Sequence, residues 1–569
     1  MYTPFNWQNH VDIITADRLN NIEQGVSNAE IGGVLPQLAL TGDTTNMTGD
    51  VKVPLQFNYR DGRQQVTGYL TAKWQGDSSE KYPKKNLSLN FYHDDKLSKK
   101  LKWKPKSTWK KDTEFNLKAN WIDRTQARNL VNARLAAQVA AARPIYWGGQ
   151  NMLPANNANF ELNQTEKFIR LDTNINKAVL SQKLTCSLDL ALDADTGTDS
   201  TGASLNKGCV WFQDEVGTWL GFTIFDMSDV AVGTNKHFNV SLQAAAGHFI
   251  QTVTFNCGPK SSVGTGHMTF SNVSLYVADA EPANYQYAPS LWDSRQALAA
   301  SPYYGEVYGL PVEMTLNGQP QGLYTLNSKK NANLVGMDDS DSKQVLIEIS
   351  NDNPFAANHV LKFDGTDADA VVAADNNQAR AQFQRLVTFV QTATDDDFKA
   401  NVAQYLDLYS VIDTHILTDL MNNIDGGTKS ILFATYDGQH WLAIPYDMDS
   451  TWQSYWDGTG PSDPWNYDMS MNNLTNRVIT LFHDLVIERY NVLRNDILAG
   501  GHIVNEFERF IDQIPTTAYD NNEQLWPTIP SIGWTDFCQI KQAITTLLAL
   551  TDNEIQWAVS DSTVDTSTT

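Results

Sequence analysis

An α+β fold is predicted for this chain, on three observations. Alternating apolar and polar residues, rich in β-branched and aromatic types, fill 51–59, 65–74 and 86–92, the pattern of half-buried strands. Apolar residues at helical spacing fill 376–394, 408–421, 478–498, 503–514 and 536–557. Between these blocks, 151–290 is poor in charge and rich in Thr, Ser, Asn and Gly, with regularly spaced short strands, which predicts an inserted all-β sandwich.

The 569 residues exceed what one core supports, and five parts are expected. These are an N-terminal attachment or oligomerisation helix (1–35), a β-rich part (36–150), the sandwich (151–290), the remaining body with its helical lobe (291–559) and a disordered tail (560–569). A net charge of −23 repels nucleic acid and anionic lipid, so neither is an expected partner. The N-terminus lacks a basic and apolar leader, and no run reaches the roughly 18 apolar residues of a membrane span. Cys186, Cys209, Cys257 and Cys538 show no paired spacing; one disulfide among the first three is left open.

Taken in order, Leu19, Ile22 and Val26 form the seam of a short helix that needs a partner, either another subunit or its own chain. The Gln75–Ser79 loop leaves backbone N–H groups open to an anion, with Lys84 and Lys85 close behind. Eight lysines from Lys96 to Lys111, interleaved with Trp103 and Trp109, meet an anionic ligand, face an acidic neighbouring surface or form a solvated loop. Asp123-Arg124-Thr125 offers N-cap chemistry to a helix with Leu130, Val131, Leu135 and Val139 on one face, stopped at Pro144. The acidic runs at Asp338, Asp339 and Asp341 and at Asp364, Asp367 and Asp369 lack the calcium-loop pattern and read as solvated loops.

Ser430–Tyr436 and His440–Tyr446 flank Asp437-Gly438, a hairpin turn signal. That hairpin brings Asp425 near Asp447 and Asp449, three hard carboxylates of the kind that hold Mg²⁺ against phosphate. In the insert, Trp211, Phe212, Trp219 and Phe222 either stack on sugar rings or fill the sandwich core.

The run Phe115-Asn116-Leu117-Lys118-Ala119-Asn120-Trp121-Ile122-Asp123-Arg124-Thr125-Gln126-Ala127-Arg128-Asn129 resembles the spore-coat kinase-like (CotH) family. Leu316-Asn317-Gly318, Gly322-Leu323-Tyr324, Asn423-x-Asp425 and Asp447-x-Asp449 continue the resemblance. It implies a two-lobed kinase-like body, β-rich then α-helical, using Mg²⁺ and ATP if active. Asp425 then orients the acceptor hydroxyl, Asp447 and Asp449 bind metal, Lys84 or Lys85 contacts nucleotide phosphates, and Arg128 lies in the family's helix motif. Two departures count against activity: Ser430 stands where the family has a metal-binding Asn, its hydroxyl being the third, poorer metal ligand, and Ser328 stands where it has a lysine-positioning Glu. The body is thus an enzyme or a pseudokinase.

Ile14-Thr15-Ala16-Asp17-Arg18-Leu19-Asn20-Asn21-Ile22-Glu23-Gln24-Gly25 resembles the start of tail and baseplate proteins from phages of Gram-positive bacteria. Tyr285-Gln286-Tyr287-Ala288-Pro289 resembles the last strand of carbohydrate-binding jelly rolls inserted in such proteins. Together these imply a virion protein, made in the host cytoplasm and bound to other tail or baseplate proteins. It would be a homo-oligomer, a trimer being favoured, that grips a bacterial cell-wall glycan. The alternatives are an active kinase of protein or glycan hydroxyls and, on two facing carboxylates alone, a glycan-cleaving enzyme.

Overall fold

The computed structural model describes residues 35–561 except 77, 144–149, 152–158, 164, 173–182, 215, 244–249, 259–265, 278–285, 288, 351–352, 461–470 and 530–536. The N-terminal helix expected within 1–35 and the expected tail from 562 on lie outside the described residues, while 560 and 561 end the last helix.

The chain opens with β1 (Gln37–Thr41), β2 (Val53–Arg60), β3 (Gln65–Trp74), β4 (Leu87–Tyr92) and β5 (Glu114–Lys118), then helix α1 (Arg128–Ala141). The insert follows: β6 (Gln150–Asn151), β7 (Phe160–Leu162), β8 (Phe168–Asp172), β9 (Lys183–Leu192), β10 (Lys207–Asp214), β11 (Trp219–Asp226), β12 (Asn235–Gln243), β13 (Ile250–Cys257), β14 (Met268–Val277) and β15 (Gln286–Tyr287). After α2 (Pro289–Ala299), β16 (Gly309–Leu316) and β17 (Gln319–Ser328) return to the first strands. They close a seven-stranded barrel in the order β1-β16-β17-β5-β4-β3-β2. Alternation sends Leu55, Phe57, Leu70, Leu89, Phe91, Phe115, Leu117, Val312 and Leu326 inward. Trp103 and Trp109 plug this core, Trp103 edge-on to Phe91 and Phe115, so the lysine-rich tract is a loop pinned by its tryptophans.

Within the insert two four-stranded sheets, β11-β10-β13-β8 and β12-β9-β14-β7, enclose a separate core of Leu188, Leu190, Phe212, Phe225, Phe255 and Phe270. The parallel pair β6 and β15 draws its two ends together. All four cysteines are free, so the disulfide left open by the sequence is absent.

The rest of the body holds α3 (Ala332–Val335), β18 (Val345–Ile349), β19 (Ala368–Val372), α4 (Asn376–Thr392), α5 (Asp395–Asn401), α6 (Leu408–Leu420), β20 (Ile431–Thr435) and β21 (Leu442–Pro445). The strands order as β19-β18-β20-β21. Helices α7 (Asn473–Leu481), α8 (His483–Arg494), α9 (Gly500–Ile511), α10 (Thr516–Leu525) and α11 (Phe537–Asp561) complete it. The single helix expected over 478–498 is two, because Phe482 leaves helical geometry (φ −124°, ψ 34°) and turns into the core. One apolar cluster runs from α1 through the sheet to α11. A buried ion beside it is paired on two sides: Asp413 lies 2.7 Å from both Arg143 and Arg489.

Candidate functional site

The predicted hairpin forms. Ile431 pairs with Pro445, Gly438 takes φ 76°, and Asp437 Oδ1 accepts from the Gln439 and His440 N–H groups to fix the turn. Helix α6 ends at Leu420, and the next turn carries Asp425, which pairs with Lys429 at 3.2 Å. Beyond β21, Asp447 sits at φ 54°, a left-handed conformation that an L-residue holds only when its surroundings impose it. Helix α1 supplies the constraint. Asn132 Nδ2 donates to the Met448 carbonyl and to Thr451 Oγ1, and its Oδ1 accepts from the Trp452 indole, all at 2.8–2.9 Å.

Asp425, Asp447 and Asp449 line one cavity of about 170 Å³ with Gln75, Gly76, Ser79, Lys118, Asn120 and Trp121. The carboxylate oxygens of the three are not all within 4.8 Å of one another, so they share a cleft without forming a ready-made triad. Opposite them is Lys118, whose ammonium lies 3.7 Å from Asp447. Burial pulls the Lys118 pKa down, but the charges of Asp447 and Asp449 outweigh it and hold it above the ordinary value. Burial, and then the Asp447 charge, push the Asp449 carboxyl up to about 7. Two crowded carboxylates beside a cation are the kind of groups that can hold a divalent ion next to an anion. The rim is set by Gly76 at φ 112°, where an added Cβ would lie 1.9 Å from Ser79 Oγ.

Several predicted residues are placed otherwise. Lys84 is buried, its ammonium donating to the carbonyls of Ala119 and Leu323 and to Asn522 and lying over the Tyr324 ring. Burial takes its pKa well below the usual lysine range, and it fastens the barrel to α10 instead of facing a phosphate. Lys85 donates to the Glu80 carbonyl at 2.5 Å and covers Trp74. Arg128 is fully buried, with Asp123 at 2.8 Å, Gln539 and the Thr451 carbonyl as partners. Neither Lys85 nor Arg128 lines the cavity. Ser430 does not line it either; at φ 58° it turns the chain into β20, its carbonyl accepting from Tyr446 N–H.

The lysine that sequence reasoning missed is Lys118, the fourth residue of the motif run, at the end of β5. Its signal was strand alternation: Phe115 and Leu117 face the barrel core, so Asn116 and Lys118 face out. Ser328, standing at the Glu position, accepts from Tyr308 N–H. Lys118 is instead paired with the cleft carboxylate Asp447.

In the insert, Phe212 belongs to the sandwich core and is 1% exposed, which removes it from any glycan surface. Trp211 pairs across the sheet with Phe222, and Gln213 with Trp219, which sets the other three aromatics on the outer face. Trp219 is 46% and Phe222 44% exposed, and the Trp211 and Trp219 rings stack at 5.5 Å.

Residues 309–550 match the family described as CotH kinase protein, somewhat under half of the chain. Strands β16 and β17 of that segment share a barrel with β1–β5, so residues upstream of the insert fold as part of the same body. Among solved structures, the tripod (BppUct-A-L) from the baseplate of bacteriophage Tuc2009 is similar at 12% identity over 37% of this chain and 75% of that one. Its TM-score is 0.17, at which a shared fold does not follow. No curated protein matches.

Proposed function

We propose that this chain is a phage tail or baseplate protein whose CotH-like body carries the inserted sandwich, and that the outer face of β11-β10-β13-β8 binds a glycan of the bacterial cell wall. The observation that carries this reading is the aromatic row Trp211, Trp219 and Phe222 on one sheet face, with Gln213 and Arg170 in register beside it. Half-exposed indoles offer flat apolar surface to the C–H faces of sugar rings, while amide and guanidinium groups take their hydroxyls. The resemblance of the N-terminal run to phage tail proteins supports placement in a virion, in a homo-oligomer. Binding to purified cell walls tests it. Trp219→Ala with Phe222→Ala should lower retention at least about tenfold at an unchanged melting temperature. Unchanged retention overturns the glycan reading.

A second reading is favoured by the cleft: phosphoryl transfer from Mg-ATP. Asp447 and Asp449 would hold a divalent ion there, which would relieve the charge crowding at Asp449 and supply positive charge to the transferring phosphate. In this reading Asp425, which lines the same cavity, orients an acceptor hydroxyl, and Lys118 takes phosphate charge. Phosphate incorporation that disappears in Asp447→Ala supports this reading; none in the wild-type chain removes it.

A further inference from the structure

We infer that the inserted sandwich holds a zinc-type transition-metal ion between Glu161 of β7, Asp193 just after β9 and His267 just before β14. Their ligand atoms all lie within 4.8 Å of one another, and His267 Nε2 is 2.7 Å from Glu161 Oε1. A tetrahedral ion with bonds of about 2.0–2.1 Å needs ligand atoms about 3.3 Å apart, which small side-chain rotations here provide. The three strands are neighbours in one sheet, so the residues arrive from one end of the sandwich on backbone that is already paired.

The supporting contacts suit a ligand set. Thr269 Oγ1 donates to Asp193 Oδ2 at 2.9 Å, orienting the carboxylate and leaving Oδ1 for an ion, as outer-shell partners of metal ligands do. Asp193 N–H donates to the His267 carbonyl at 3.0 Å, tying the two loops together. Glu161 is exposed and the other two half-buried, so an ion can enter and a water can take the fourth position.

The same sheet contains a built-in contrast. His237 Nδ1 lies 2.7 Å from Asp189, just as His267 lies from Glu161. There the third group is Asn272, whose amide Nδ2 donates to Asp189 at 2.7 Å and offers that carboxylate a hydrogen where a metal would sit. At His267 the third group is a second carboxylate. One histidine–acid pair is closed by a donor, and the other by another anionic ligand. Imidazole nitrogen selects zinc-type ions over Ca²⁺ and Mg²⁺, which take oxygen.

Titration of the full chain with Zn²⁺ after chelator dialysis tests the site. The expected result is one Zn²⁺ bound per chain and a raised melting temperature, with no comparable effect of Ca²⁺ or Mg²⁺. His267→Ala should weaken binding at least about tenfold and Thr269→Val several-fold, while His237→Ala leaves it unchanged. Glu161→Gln, which keeps the side chain's shape, should weaken binding without lowering the metal-free melting temperature. Zinc binding that survives both His267→Ala and Glu161→Gln, equal binding of Ca²⁺, or no binding by the wild-type chain overturns the proposal.

Discussion

Replacing Asp449 by Asn should stabilise the protein above about pH 4, and fully only at neutral to alkaline pH. In the folded chain this carboxyl titrates near 7, against 3.8 for the ordinary group, because it is buried and because Asp447 lies beside it. The unfolded chain therefore ionises first as pH rises. The resulting destabilisation is absent below about pH 4, grows between 4 and 7 and is complete above 7. Taken at face value the shift is worth about 4 kcal/mol, and solvent at the cleft mouth screens it to about 2 kcal/mol. Asparagine keeps the acceptor for Ser450 Oγ and removes the repulsion, while Asp447 remains as counter-ion to Lys118. Thermal melts of wild type and Asp449→Asn from pH 4 to 8 should coincide at the acid end and separate by several degrees at pH 8. A divalent ion bound with nucleotide would reduce the gap by stabilising wild type alone. An equal difference at pH 4 and 8, or a variant less stable at pH 8, would refute the charge-crowding account of the cleft.

Arg128→Met leaves Asp123 buried without its ion pair and should cost about 3–5 kcal/mol in urea unfolding, with or without nucleotide, as expected of a clamp and not a phosphate ligand. Asn132→Ala removes three hydrogen bonds to the loop behind Asp447 and should cost about 2–4 kcal/mol. Amide exchange at Met448–Trp452 should rise more than elsewhere. Phe212→Ala should destabilise the insert by about 3–5 kcal/mol, while Trp219→Ala on the open face should stay within about 1 kcal/mol; calorimetry separates them.

What could be read from the sequence was local. Asp437-Gly438 between two β-branched runs specifies a hairpin because only a few residue types tolerate its turn, and the hairpin alone carries Asp447 and Asp449 back toward the end of α6. The sandwich was likewise legible, since strand alternation and turn spacing repeat within a few residues of each other. The choice among lysines was not. Lys84, Lys85 and Lys118 carry the same charge, and barrel closure decides that Lys84 is sealed against α10 while Lys118 opens on the carboxylates. The Lys96–Lys111 tract reads as an anion site, a face for an acidic neighbour or a solvated loop, and its course is set by something none of these readings used, two tryptophans buried in the barrel core.

Trp211 and Phe212 show where the division falls. A period of two requires that adjacent side chains on β10 face opposite ways, and the sequence alone determines that much. Which way is inward depends on where the second sheet packs. The strands of the two sheets alternate along the insert, so the burial that makes Phe212 core and Trp211 surface exists only once both layers meet.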